Sequence, residues 1–136
     1  MEIGPLTTRA VLTVEESCTL RDAAIGMVER GVGSAVVVVD GKPVGIITDR
    51  DTVKAVAQGA DGEVRKVSDY LSRKLMTAPA TMGVREAARV MREKGFRHLV
   101  VIDDAGALVG VFSMRDLVVG LLQEMQAIQA IAAPTG

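Results

Sequence analysis

Two stretches of this chain carry nearly the same text. "LRDAAIGMVERG" begins at Leu20 and "VREAARVMREKG" at Val84, so position 84 matches position 20 at an offset of 64. Arg21 aligns with Arg85, Asp22 with Glu86, Ala23 with Ala87, Met27 with Met91 and Gly31 with Gly95. Thr13 and Thr77 keep that offset upstream. Downstream, "GIITDRD" at 45–51 matches "GVFSMRD" at 110–116, now at an offset of 65. The added residue falls between "VDGKP" and "DDAGAL", both of them turn-like, where an insertion costs little. One supersecondary unit therefore occurs twice.

Each copy shows the same order of signals. A short apolar piece comes first (Val11 and Leu12; Leu75 and Met76). A helix follows, with apolar positions 20, 23, 24, 27 and 28, or 84, 87, 88 and 91, a spacing that marks one buried face. Gly31 and Gly95 stand where a left-handed C-cap ends a helix. "AVVVV" and "LVVI" are β-branched runs of buried-strand character, and "DGK" after Val39 predicts a tight hairpin. "VGII" and "VGVF" are the return strands, and a second helix starts at Thr48 or Ser113. The unit reads β-α-β-β-α. Residues 1–62 form the first repeat and 63–136 the second, with "QGADGE" (58–63) as the joint. The last helix runs long, carrying Leu117, Leu121, Leu122, Met125 and Ile128, and "APTG" is expected to fray.

Half of a 136-residue chain is too small to hold a good core alone. The expected fold class is α+β: two repeats related by a pseudo-twofold axis, sheets packed together, helices outside. With no Trp, one Tyr and two Phe, the core must be built of aliphatic side chains and Met. Sixteen basic and 17 acidic residues leave a net charge of −1, which gives no electrostatic reason to expect nucleic acid or an anionic membrane. A single Cys, no basic-then-apolar leader and no long apolar run predict a cytoplasmic protein without membrane spans.

The Thr48 and Ser113 corners carry the chemistry. "TDRD" and "SMRD" each satisfy the pattern of a capping box, with Asp51 or Asp116 three residues after the cap. Any strand-to-helix junction can use that device. Here the pattern occurs twice at equivalent junctions, each three residues after a glycine (Gly45; Gly110), where backbone can approach a ligand closely. Helix N-terminal amides and a hydroxyl suit phosphate oxygens. A carboxylate suits the vicinal hydroxyls of a ribose. Together they ask for a nucleotide.

A β-α-β-β-α repeat with "GIITDRD" and "GVFSMRDL" resembles a tandem pair of CBS domains, the Bateman module, over about Leu6 to Leu122. That resemblance implies clefts that bind adenosine compounds: AMP first, then ADP, ATP, S-adenosylmethionine or NAD-type molecules. It implies that Asp51 and Asp116 hold ribose hydroxyls and that Thr48 and Ser113 sit beside phosphates. Ile46 and Ile47, with Val111 and Phe112, would flank the base, and the turns from Thr13 and Thr77 would wall the adenine pocket. Arg97 and His98 stand where the first repeat has Gly33 and Ser34. In AMP-binding members basic residues there reach toward phosphate, which makes the Asp51-centred site the expected stronger one, with Thr48, Arg97 and His98 at its phosphate end. Solvated strand-edge residues are the alternative for that pair. Arg50 and Arg115 read either as phosphate partners or as solvated helix charges. The second corner has Met114 in place of Asp49 and loses a negative charge.

Catalysis finds little support. One His and one Cys cannot make a zinc site, and neither a Walker loop nor GxGxxG is present. The expectation is a non-catalytic, ligand-sensing regulatory module with no catalytic cofactor. A dimeric scaffold with vestigial clefts is the alternative. Apolar helix faces in "TVKAVAQG" and "LVVGLLQEMQAIQAI" predict a homodimer. With no effector domain in the chain, an effector protein elsewhere is implied.

Overall fold

A computed structural model of the chain describes residues 1–132. The expected fraying of Ala133-Pro134-Thr135-Gly136 lies outside the described residues. The element order is β1 (Thr13–Val14), α1 (Leu20–Arg30), β2 (Ser34–Val39), β3 (Lys42–Thr48), α2 (Asp49–Ala57), β4 (Thr77–Pro79), α3 (Val84–Lys94), β5 (His98–Ile102), β6 (Leu108–Ser113) and α4 (Met114–Ala132). The β-α-β-β-α order is thus present twice, and the fold is α+β with one three-stranded mixed sheet per repeat. In each sheet the first strand pairs in parallel with the second, and the second pairs antiparallel with the third.

The local reasons are those the sequence offers. Thr19 caps α1 by accepting from the Asp22 amide, and Gly31 and Gly95 end α1 and α3 at φ 62° and 74°. Those angles cost an L-side chain energy and glycine almost none. Asp40 and Gly41 turn the β2–β3 hairpin with φ 52° and 77°, the paired left-handed geometry that Asp-Gly supports. The buried face of α1 is Leu20, Ala23 and Met27, and that of α3 is Val84, Ala87 and Met91. Val28, expected on that face, is 82% exposed, because α1 shows the core only a narrow stripe. The first strands also sit two residues later than expected. Leu12 and Met76 still begin the pairing, since their carbonyls accept from Val36 and Val100.

The chain divides into two compact units. One comprises Ala10–Leu75, and the other joins Met1–Arg9 to the chain from Met76 onward. Packing thus changes unit at Arg9/Ala10 and at Leu75/Met76. The "QGADGE" stretch folds back on the start of α1, where Gly62 and Arg65 carbonyls accept from the Arg21 and Leu20 amides.

Each unit gains a short extra edge on its third strand. Ser72 exchanges two backbone hydrogen bonds with Ile46, at 2.9 Å each, and Thr8 does the same with Val111, at 3.0 Å each. Thr8 and Ser72 are themselves 64 apart. So are the 3-10 turns Gly4–Leu6 and Val67–Asp69 within about one residue, and the wholly buried Ile3 and Val67. The repeat therefore reaches back to Ile3, further than identity alone reveals. Ile3 joins Leu99, Val101 and Phe112 in one core, while Val67 joins Ala35, Val37 and Ile47 in the other.

Candidate functional site

The return strands β3 and β6 end in corners built from identical backbone logic. Thr48 lies in extended conformation and caps α2. Its hydroxyl accepts from the Asp51 amide at 3.2 Å and donates to Asp51 Oδ2 at 3.0 Å, while the Thr48 amide donates to the same oxygen at 2.9 Å. In the other unit the Ser113 amide and hydroxyl donate to Asp116 Oδ2 at 2.8 and 3.0 Å, and Ser113 Oγ accepts from the Asp116 amide at 3.4 Å. Both corners are full capping boxes, in which the acid also faces the positive end of the helix. A cross-hairpin bond pins each helix start: Gly33 carbonyl accepts from the Asp49 amide, and Arg97 carbonyl from the Met114 amide.

The capping boxes engage only one oxygen of each acid. Asp51 Oδ1 accepts no hydrogen bond among the described residues. Asp116 differs, because Thr8 Oγ1 approaches both its carboxylate oxygens at 3.5 Å. Ser72, at the equivalent position, makes no such contact with Asp51. The first helix amides differ as well. Asp49 Oδ1 accepts from the Arg50 amide at 2.8 Å, and Met114 can offer no such acceptor to Arg115. The Thr48 corner therefore presents an open, oriented carboxylate oxygen, and the Ser113 corner presents more open N–H.

Strand alternation sorts the remaining candidates. Ala35, Val37 and Ile47 face the core of their unit, as Leu99, Val101 and Phe112 face theirs. Thr13, Ser34, Val36, Ile46 and Thr48 share the opposite face, as do Thr77, His98, Val100, Val111 and Ser113. Ile47 and Phe112 are wholly buried in those cores. A strand places neighbouring side chains on opposite faces, so Ile47 and Phe112 point away from the face that carries the corner hydroxyls. Ile46 and Val111 are the members of each pair on the face of the corner hydroxyl.

Thr13 and Thr77 are exposed on the edge strands, in register with Val36 and Val100. His98 is half-buried and directly opposite Ser113 in the β5–β6 register. Arg97, Arg50 and Arg115 are exposed, and none of the three enters an ion pair among the described residues. Thr8 and Ser72 are contributions that sequence reasoning missed; the signal was a hydroxyl in both copies at the repeat offset.

The glycines of the motif have a different use from the one expected. A Cβ on Gly45 would meet Leu71 Cδ1 and come within 2.9 Å of Ser72 O, and one on Gly110 would meet Thr8 O and lie 2.7 Å from Thr7 Cγ2. The close approach these glycines permit is made by the chain's own edge segments. Elsewhere, burial pushes the Cys18 thiol upward, with the negative charge of Asp22 adding to the shift. Among the described residues no cluster of acids, Cys and His could hold a metal ion, and no helix is long and apolar enough to cross a membrane.

Comparison with known proteins places this geometry. The CBS domain family model matches residues 3–58 and again 67–122. The chain is 33% identical over 125 residues to a CBS domain-containing protein of Bacillus subtilis, covering 91% of this chain and 88% of that one. It is 37% identical over 119 residues to an uncharacterized protein of Methanopyrus kandleri, covering 86% of this chain but only 61% of that longer protein. Among solved structures, a CBS domain protein of Pyrobaculum aerophilum, complexed with AMP, superposes with a TM-score of 0.79 at 32% identity, covering 85% of this chain and 89% of that one.

Proposed function

The chain belongs to the CBS domain family and carries two such domains in tandem, and on that premise we propose that it is a non-catalytic regulatory module that binds an adenine nucleotide, AMP before ADP or ATP. The observation that carries the reading is the state of Asp51. Its Oδ2 is fixed by the Thr48 cap and its Oδ1 is left open, which makes a carboxylate acceptor already oriented for sugar hydroxyls. The AMP complex of the Pyrobaculum relative supports the ligand class.

In this reading Asp51 is the principal ribose acceptor and Asp116 the lesser one, since Thr8 already leans on Asp116. Thr48 and Ser113 stand beside phosphate. Arg97 and His98 supply charge and hydrogen bonds to it, and Arg50 and Arg115 contribute from the first helical turns. Ile46 and Val111 flank the base, with Thr13 and Thr77 at the pocket wall. The module acts as a homodimer formed through α2 and α4, where Val53, Val56, Val118, Leu122, Met125 and Ile128 are exposed. It transmits ligand state to an effector protein. A scaffold without ligand has one observation in its favour: both acids already serve as helix caps.

Thermal unfolding with AMP, ADP, ATP, S-adenosylmethionine and NAD separates these readings. A ligand at 100 times its Kd stabilises by about 2.7 kcal/mol. AMP is expected to raise Tm by several degrees, Asp51→Ala to remove that shift, and Asp116→Ala to keep most of it. The ligand-dependent shift is the quantity to compare, because either substitution also removes a cap. A Tm indifferent to all five compounds would leave the scaffold.

A further inference from the structure

The residues flanking the Thr48 corner invert the charge found at its counterpart. Gly33 and Asp49 correspond to Arg97 and Met114 at the repeat offsets of 64 and 65. Gly33 leaves a space beside the start of α2, and the Asp49 carboxylate fills it. A Cβ on residue 33 would lie 3.1 Å from Asp49 Oδ2 and 3.5 Å from its Cγ. At the place where Arg97 begins its side chain in one unit, the other unit therefore holds a carboxylate.

Asp49 is exposed, yet it is anchored. Its Oδ1 accepts from the Arg50 amide at 2.8 Å. The amides on either side are engaged as well: Asp49 N–H donates to the Gly33 carbonyl at 2.9 Å, and Asp51 N–H donates to Thr48 Oγ1 at 3.2 Å. A helix N-terminus ordinarily offers such groups to an anion. Here each is taken, and the acceptor on the middle one carries a full negative charge. Met114, in the matching place, is uncharged and accepts nothing. The charge of Asp49 also stands at the end of the face assigned to the nucleotide. Ser34 lies opposite Thr48 in the β2–β3 register, and residues 33 and 49 are the next ones out along that hairpin's open end.

We propose that Asp49 is a specificity-determining residue that sets the phosphate count at the Thr48 corner: its anchored carboxylate admits a nucleoside monophosphate and turns away ADP and ATP. This rests on the nucleotide reading above and deepens it. Base and ribose are uncharged and indifferent to Asp49. Each phosphate beyond the first brings more negative charge beside a carboxylate that cannot swing away without giving up the Arg50 amide. Two like unit charges about 4 Å apart in water weaken binding by about fivefold, and salt diminishes the effect.

The test is calorimetric titration of the full chain with adenosine, AMP, ADP and ATP, in EDTA at low salt. Wild type is compared with Asp49→Asn and Asp104→Asn, and the signal scored is the binding that Asp51→Ala removes. Asparagine keeps an oxygen for the Arg50 amide, so the turn stays and the charge goes. Asp104, exposed in the β5–β6 turn, controls for net charge. Asp49→Asn is expected to tighten ATP at least about fivefold and ADP less, to leave adenosine unchanged, and to lose most of its gain in about 0.5 M salt. Asp104→Asn is expected to alter none of the four. AMP bound by both proteins with the same ratio of ATP to AMP affinity overturns the role of Asp49 and leaves the nucleotide reading standing. Adenosine tightened as much as ATP overturns it too, since the effect then lies at base or ribose. A wild type that binds none of the four overturns the nucleotide reading and this inference together.

Discussion

The Thr48 and Ser113 corners share their backbone bonds almost atom for atom, yet they offer different charge to whatever approaches. Around Thr48 stand Gly33, Asp49 and Asp51, and a Cβ on residue 33 would lie only 3.1 Å from Asp49 Oδ2. Around Ser113 stand Arg97, Met114, Arg115 and Asp116. The cap, the cross-hairpin bond and the glycine that admits the edge segment are kept at both, because they hold the turn from strand to helix. Residues 33/97 and 49/114 serve both turns in common only through their backbone, so their side chains are free to differ. The duplicated part of each corner holds the turn whatever else it does, and on the reading proposed above a difference in ligand preference between the corners has to come from the part that is not duplicated.

The largest expected effect separates core from site. Phe112 and Ile47 occupy corresponding core positions, next to the corner hydroxyls in sequence but on the other face of the sheet. Phe112→Ala is expected to cost about 3–5 kcal/mol and Ile47→Ala about 2–5 kcal/mol in urea unfolding. Ile46→Ala is expected to cost less and to weaken AMP. A Phe112→Ala protein with undiminished stability and impaired ligand binding would reverse the assignment of faces.

That pair also marks how far the sequence could be read. Helices α1 and α3 were legible because 3.6-residue spacing, a first-turn acid and a terminal glycine agree. The hairpin was legible from Asp40-Gly41, since few residue pairs accept that geometry. Both corner caps were legible as capping boxes. Parity was not: "II" and "VF" are apolar at both positions, so alternation has no contrast to reveal which side chain faces the core. The edge segments were not legible either. Thr7 and Thr8 match Leu71 and Ser72 in place but not in identity, and their bonds are made by backbone, which leaves little trace in side chains. The exposure of Val28 follows from how little of α1 the core covers, a tertiary property.

A middle-sized effect compares the glycines. Gly110→Ala forces a Cβ against the Thr8 carbonyl, which the Thr8–Val111 bonds hold in place. Gly45→Ala meets the end of the Leu71 side chain, which can rotate, and the Ser72 carbonyl. Overpacking of this kind costs about 1–3 kcal/mol, with Gly110→Ala at the upper end and Gly45→Ala at the lower. Amide exchange localises the damage: the Thr8 and Val111 amides are expected to lose protection in the first variant, and the Ile46 and Ser72 amides in the second. Equal losses would mean that the two edge segments are held alike.

The smallest effect belongs to a residue that only one unit has. Cys18 precedes α1, and Met82 holds its place before α3, 64 residues on. Burial raises the thiol above its ordinary value. Asp22 and Glu15 push it further up, while the Ala23 amide and Lys66 pull it down. A group whose folded pKa lies above its unfolded one stabilises fully at pH below the unfolded value and loses that contribution as pH rises through the folded value. Ionisation of Cys18 is therefore expected to leave the α1 unit unaffected at neutral pH and to lower its stability in the alkaline range by a small amount, a pH dependence that Cys18→Ala abolishes. Unfolding of both proteins at pH 7 and pH 10 isolates the thiol, because every lysine and tyrosine is common to the pair. Amide exchange along α1 should register the difference and exchange along α3 should not, since a thioether has no proton to lose. A wild-type slope equal to that of Cys18→Ala would show the thiol to be as solvated folded as unfolded.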